Sequence, residues 1–414
     1  MDVTIEQSCP SCGAAIILNE DDRLIQCEYC DVHNYKTGNG ADRFVLPSKL
    51  PENINESQLV FAPYLRFKGS IFYVRDNEVQ YKIVDTTRLG LDNRLLPVSL
   101  GLRPQAMQLK PVVSATRGGF ILQSMPTKKV FAHAAMVVDL FDKHTVKTCH
   151  HRAFIGETIS CIYQPCYVKD DHLFDAVTNQ VIGDYTLLGD HLHKTCVSKS
   201  SWEPRFLATL CPKCGGRLTG ERDTIVLQCT NCQSLWQERG GRFNAVDWTV
   251  VAGEDRARYL PFWRISFTTA GYVLKYFADF LRFTNQPLVP MPLYENRPLV
   301  FWIPAFKVNP KAFLQLASQL TVAQTRIPSG QTDRVTNDYP VTLDQQEALQ
   351  AIKSVLAYST LSREKRFSAL PEIRLAANSC ALTYLPFVAE THDLVQEHTL
   401  ASVQTAAMRY GRVL

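Results

Sequence analysis

The chain has 414 residues, 46% hydrophobic and 20% charged, an ordinary globular composition with enough apolar material for a sizeable core. Its 44 basic and 40 acidic residues leave a net charge of +4, too little for a strong sequence-independent pull on nucleic acid or an acidic membrane. The start, MDVTIEQSC, has no basic region leading into an apolar run, and no later apolar stretch reaches membrane-spanning length, so a soluble, unsecreted, cytoplasmic protein without a membrane span is expected.

The first element is CPSCGAAIILNEDDRLIQCEYC, residues 9–30, and CPKCGGRLTGERDTIVLQCTNC, residues 211–232, repeats it 202 positions later. In each copy 14 residues separate the inner cysteines, Cys12 from Cys27 and Cys214 from Cys229, which is room for a strand, a turn and a return strand. A CxxC turn aims two sulfurs at one point and a second CxxC completes a tetrahedron, the geometry zinc favours. Eight of the 13 cysteines sit in these pairs, which in a non-secreted chain argues for metal thiolate rather than disulfides. Two structural Zn2+ ions are therefore expected, one on Cys9, Cys12, Cys27 and Cys30, the other on Cys211, Cys214, Cys229 and Cys232. Redox chemistry is the main competitor, but it uses one CxxC at the start of a helix, not two that converge. Gly13 and Gly215 follow the first knuckles, where positive φ lets backbone amides turn toward the thiolates. These stretches resemble the zinc-ribbon superfamily, with the rubredoxin-type knuckle of transcription factor IIB-like ribbons and of many bacterial proteins of unknown role. A four-thiolate site leaves no open coordination position, so neither ribbon is expected to be catalytic.

Residues 41–57 read as a linker. After it Tyr64-Leu65-Arg66-Phe67 opens a strand, and Val79, Tyr81 and Ile83 alternate with polar residues beyond an Arg75-Asp76-Asn77-Glu78 turn, a hairpin pattern. From 144 to 196, 53 residues hold six of the ten histidines and four of the five cysteines outside the ribbons: His144, Cys149, His150, His151, Cys161, Cys166, His172, His191, His193 and Cys196. A third metal on Cys149 or His151 with His191, His193 and Cys196 is one reading. Buried small cysteines and loop histidines are the other, favoured because no spacing makes a CxxC or an i, i+4 histidine pair.

Behind the second ribbon, Tyr259-Leu260-Pro261-Phe262 echoes the first half, and Trp263, Ile265 and Phe267 alternate with polar residues as in a second hairpin. Aromatic-x-Pro-aromatic segments recur at 163–167, 302–306 and 384–387, where proline, lacking a ladder donor, marks strand entries or edges. The pattern resembles strands of bacterial zinc-ribbon proteins of unknown function; it suits a core layer better than a stacking surface for single strands. Asn309-Pro310 starts a helix through Phe313, Leu316, Ala317 and Leu320. Residues 328–338 read as an exposed loop, Thr342 with Gln345 as a capping box before Leu349, Ile352 and Val355, and residues 399–410 as a last helix. No phosphate loop, HExxH or GxSxG is present.

The expected fold is α+β: two related halves, each a four-cysteine ribbon followed by a mainly antiparallel β-domain, the second with added helices. Boundaries are expected at 1–40, 41–200, 201–242 and 243–414. The expected function is a non-catalytic scaffold or adaptor with a protein partner. The alternatives are a nucleic-acid binder using Lys213, Arg217, Arg222, Arg239 and Arg242 of the more basic second ribbon, and a metalloenzyme built on the His/Cys cluster.

Overall fold

The computed structural model describes residues 3–38, 40–141, 148–188, 195–196, 202–289, 291–333, 335 and 337–412. Long β-branched and aromatic runs make the two central sheets. In the first, Val60–Arg75 lies antiparallel to Cys149–Lys169, and Asp76 at φ 43° turns the chain back into Glu78–Leu89. Asp42–Val45 lies parallel to Cys149–Lys169, so part of the expected linker is a strand. His172–Asp175 and Val181–Asp184 extend the sheet beyond it.

In the second half Arg258–Ala270 lies antiparallel to Arg374–Ala389, with Trp248–Val250 parallel on its far side. Asp393–Gln396 and Ser402–Gln404 continue outward. The registers match those of the first half position by position. Pro63 faces Tyr163 as Pro261 faces Tyr384, and Val45 and Val250 lie beside those same tyrosines. Asp175 opposite Cys166 corresponds to Gln396 opposite Phe387. By this register Tyr64 occupies the place of Phe262, not of Tyr259 as the Tyr-Leu-x-Phe echo suggested, and Arg66 occupies the place of Arg264.

The expected second hairpin is absent: Gly271 (φ 85°) ends Arg258–Ala270, and the helix Phe277–Thr284 intervenes before Val300–Pro304 pairs with it. Among the described residues two α-helices of the first half were not expected, the short Arg103–Ala106 and Lys129–Phe141 over the interrupted apolar run at 130–141. Helix Pro310–Val322 forms as its cap and stripe predict, with Asn309 accepting from the Lys311 amide at 3.0 Å. The helix Gln345–Tyr358 is capped by Asp344, which accepts from the Gln346 amide, whereas the Thr342 hydroxyl accepts from the Lys307 amide. The last helix is only Thr405–Gly411; Leu400 stands at φ 62° and Val403 is buried in a strand.

The recurrent aromatics fill the interior. Tyr163, Trp302, Phe306, Tyr384 and Phe387 are all buried, and Phe262 stacks on Phe387 with ring centroids 6.0 Å apart. The cores meet: Phe72 and Val74 of the first sheet lie in one cluster with Phe313 and the helices of the second half. Their joint is a bulge in Cys149–Lys169 between Ile155 and Thr158, where the Gly156 amide donates to the Glu347 carboxylate at the head of Gln345–Tyr358.

Candidate metal centres

The second quartet sits at the end of the hairpin Leu218–Thr219 and Val226–Cys229, whereas in the first the two strands between the knuckles part company: Ala15–Asn19 pairs with Thr4–Ser8 and Leu24–Gln26 with His33–Lys36, not with each other as expected. Within each quartet all sulfurs lie within 4.8 Å of one another. The measured edges are Cys9 to Cys30 at 3.8 Å, Cys12 to Cys27 at 3.7 Å, Cys211 to Cys232 at 3.7 Å and Cys214 to Cys229 at 3.5 Å. A tetrahedral ion with metal–sulfur bonds of about 2.3 Å needs sulfur–sulfur edges of about 3.8 Å, so both quartets fit one ion each.

The knuckles explain the spacing. Gly13 at φ 78° and Gly215 at φ 72° donate their amides to the Cys9 and Cys211 carbonyls, each at 2.9 Å. The amide that reaches a thiolate lies earlier in the loop, Ser11 N to Cys9 Sγ at 3.4 Å; in the second ribbon Cys232 N reaches Cys229 Sγ at 3.5 Å. The second knuckles make the same turn without glycine, Asp31 at φ 53° and Gln233 at φ 59° donating to the Cys27 and Cys229 carbonyls. The Ser234 hydroxyl and amide hold the Cys232 thiol down at about 6. Burial pushes Cys229 of the same quartet up to about 11, so the four crowded thiols do not all ionise on their own, and a cation is what would let them do so together.

The sequence did not reveal that the ribbons bind each other. The amides of Arg23 and Leu24 donate to the Arg222 carbonyl at 2.7 and 2.8 Å, and the Tyr35 hydroxyl donates to the Thr224 carbonyl at 3.1 Å. Leu24 and Tyr35 share a buried cluster with Cys211, Leu218 and Leu227. Phe206–Ala208, just before the second ribbon, pairs with His33–Lys36 of the first. The acidic turn of ribbon one is also consumed inside the molecule. Glu20 pairs with Arg66, whose guanidinium is fully buried and also bonds Asp85 at 2.8 Å. Asp21 pairs with Lys307 of the second half at 3.1 Å and accepts from Thr158, while Asp22 lies 4.0 Å from Arg222. Burial would raise the Asp21 carboxyl, but Lys307 and Thr158 hold it well below its ordinary value.

Of the five basic candidates, Arg222 is thus engaged and Arg239 lies 3.7 Å from Asp344; Lys213, Arg217 and Arg242 are exposed. In the His/Cys cluster, His144, His191, His193 and the Cys196 side chain lie outside the described residues. The others diverge. Cys161 and Cys166 are buried in two different core clusters, where burial pushes the Cys161 thiol up to about 11. Cys149 is exposed, the His172 ring Nδ1 is 2.7 Å from the Asp170 carbonyl, and His151 is lowered to about 4 by burial and by Lys353. Among the described residues only the two cysteine quartets bring three or more metal-ligating groups together. No described helix is long and apolar enough to cross a membrane. In comparisons with known proteins, no family model, curated protein or solved structure matches the chain.

Proposed function

We propose that this chain is a non-catalytic scaffold with two structural zinc ions, descended from a duplicated ribbon-plus-sheet unit divided near residues 40, 200 and 242, that presents the metal ends of its ribbons to a protein partner. The observation that carries it is the direction in which each ribbon is used. The turns Asn19–Asp22 and Gly220–Asp223 are both engaged inside the molecule, the first by Arg66 and Lys307 and the second by Arg412 and the Arg23 and Leu24 amides, so what the ribbons leave outward is the knuckle end. There Tyr29 is 78% and Val32 40% exposed, and continuing the pairing of Ala208 with Asn34 carries Leu210, 60% exposed, toward Val32. Exposed apolar side chains on a metal-stiffened loop suit a protein partner, since their ordering cost is met before binding.

The test is a photo-crosslinking residue at position 29, with position 289 of the second half as control, in the native cell. A stoichiometric adduct at 29 alone, lost in Cys12→Ser, supports the scaffold; equal labelling at both positions refutes it. Nucleic-acid binding is the second reading, resting on exposed Lys213, Arg217 and Arg242. It requires an affinity that falls steeply with salt.

A further inference from the structure

We infer that the open face of the second sheet carries a binding pocket for a small molecule bearing an oxyanion, a phosphate or a carboxylate. A cavity of about 330 Å³ lies there, at the lower end of the range for ligand sites. Its floor is set by strand register. Trp302 stands directly opposite Arg264 on the neighbouring strand, while Thr383 and Thr249 lie side by side on the next two, hydroxyl to hydroxyl at 3.2 Å. Arg297 and the loop at Gly330 close the sides.

Three features point to an anion. Among the described residues no aspartate or glutamate lines the cavity, while two guanidiniums do. Arg297 is held in place by donating to the Gln324 carbonyl at 3.1 Å. Arg264 is exposed and has no carboxylate in ion-pairing distance among the described residues, whereas Arg66, at the matching register position of the first sheet, is fully buried between Glu20 and Asp85. The same position is therefore neutralised in one half and left cationic in the other. The third feature is an orphan donor. Trp302 is 4% exposed and its indole Nε1 has no acceptor among the described residues, although Trp263 in the same sheet donates to the Leu343 carbonyl at 2.8 Å. A buried N–H without an acceptor is costly unless something supplies one.

The lining also selects shape. Pro298, Val300 and Ile327 give an apolar wall beside the guanidiniums, so an anion joined to a small apolar body fits better than a bare ion. Gly330 packs close to the floor: a Cβ there would come within 2.9 Å of Thr249. Alanine at 330 would push the loop outward and open the wall.

The experiment uses the full chain labelled with 5-fluorotryptophan, which reports on all 5 tryptophans by fluorine NMR, Trp302 being assigned with Trp302→Phe. Phenyl phosphate, benzoate and inorganic phosphate are titrated separately, with anilinium as the cationic control, each to about 10 mM. The expected result is a saturable shift of the Trp302 resonance with phenyl phosphate or benzoate, the stronger of the two naming the headgroup. Inorganic phosphate should bind more weakly. In Arg264→Met the affinity should fall about tenfold, and Arg264→Lys should recover part of it. Because Arg264 is exposed, the unliganded melting temperature of both variants should match the parent. No saturable Trp302 shift with either aromatic anion, an equal response to anilinium, or undiminished binding in Arg264→Met would each overturn the proposal.

Discussion

The contact between the two halves should respond to pH through Glu157. It sits in the bulge of Cys149–Lys169 next to Gly156, whose amide donates to Glu347 across the joint. Burial and then the neighbouring Glu347 charge raise the Glu157 carboxyl from 4.5 to about 7, and its Oε2 has no hydrogen-bond partner. Glu347 is also raised to about 7 by burial, with Lys307 and the Gly156 amide acting in the opposite sense, so the two neighbouring carboxyls compete for one charge. The folded state thus holds a proton at Glu157 more tightly than the unfolded state does. Its contribution is fully present below about pH 4.5 and is lost as pH rises through 7. A rise from 4.5 to about 7 corresponds to at most about 3–4 kcal/mol. Partial exposure and the shared proton reduce that to about 1–2 kcal/mol. Glu157→Gln keeps the shape and removes the ionisation. At pH 8 it should melt on the order of 2–4 °C above the parent, and at pH 5 within about 1 °C of it. Thermal melts followed by circular dichroism at the two pH values decide this. A variant that gains nothing at pH 8, or gains equally at both, refutes the argument that burial of this carboxylate opposes the joint.

Four other outcomes follow from the same contacts. Native mass spectrometry should find two zinc ions per chain. Chelation should unfold both ribbons, since apparent binding energies of such sites are about 10 kcal/mol or more, and it should loosen the sheet contacts that Glu20 and Asp21 make. Arg66→Met should destabilise by about 3–5 kcal/mol in denaturant melts by leaving Glu20 buried without its cation, and the double variant with Glu20→Leu should recover most of the loss. Asp21→Asn should cost stability at pH 7 and lose its effect as pH falls below about 4, because a carboxylate held low contributes only while ionised. Tyr35→Phe should cost about 1 kcal/mol, the usual worth of a buried neutral hydrogen bond, with protection of the ribbon–ribbon amides in hydrogen exchange falling in step.

Local patterns made part of this molecule legible from the chain alone. The CxxC spacing announced both four-sulfur groups because ligand geometry is local: two sulfurs per tight turn, and 14 residues between turns, enough to bring the second turn back beside the first. The helix from Pro310 was equally plain, since its cap and stripe lie within four turns. The helix over 129–141 was missed because His133 and Asp139 break its apolar run, although His133 is 9% exposed beside Arg88 and Asp139 pairs with Arg75. Strand Asp42–Val45 was lost in a polar segment whose pairing partner lies more than a hundred residues away.

The sequence by itself marked the two cysteine quartets that could hold a metal and the alternation of the long strands, each encoded within some twenty neighbouring residues. Tertiary structure decided what those pieces do. Nothing local says that the acidic turn Asn19–Asp22 and the segment around Arg222 meet each other and the sheets; they do so because opposite charges and strand amides from distant segments satisfy one another when brought together. Likewise Arg66 and Arg264 share a place that only the strand register reveals. Only the presence of Glu20 over one and of an open cavity over the other makes the first a buried tie and the second a cation facing solvent.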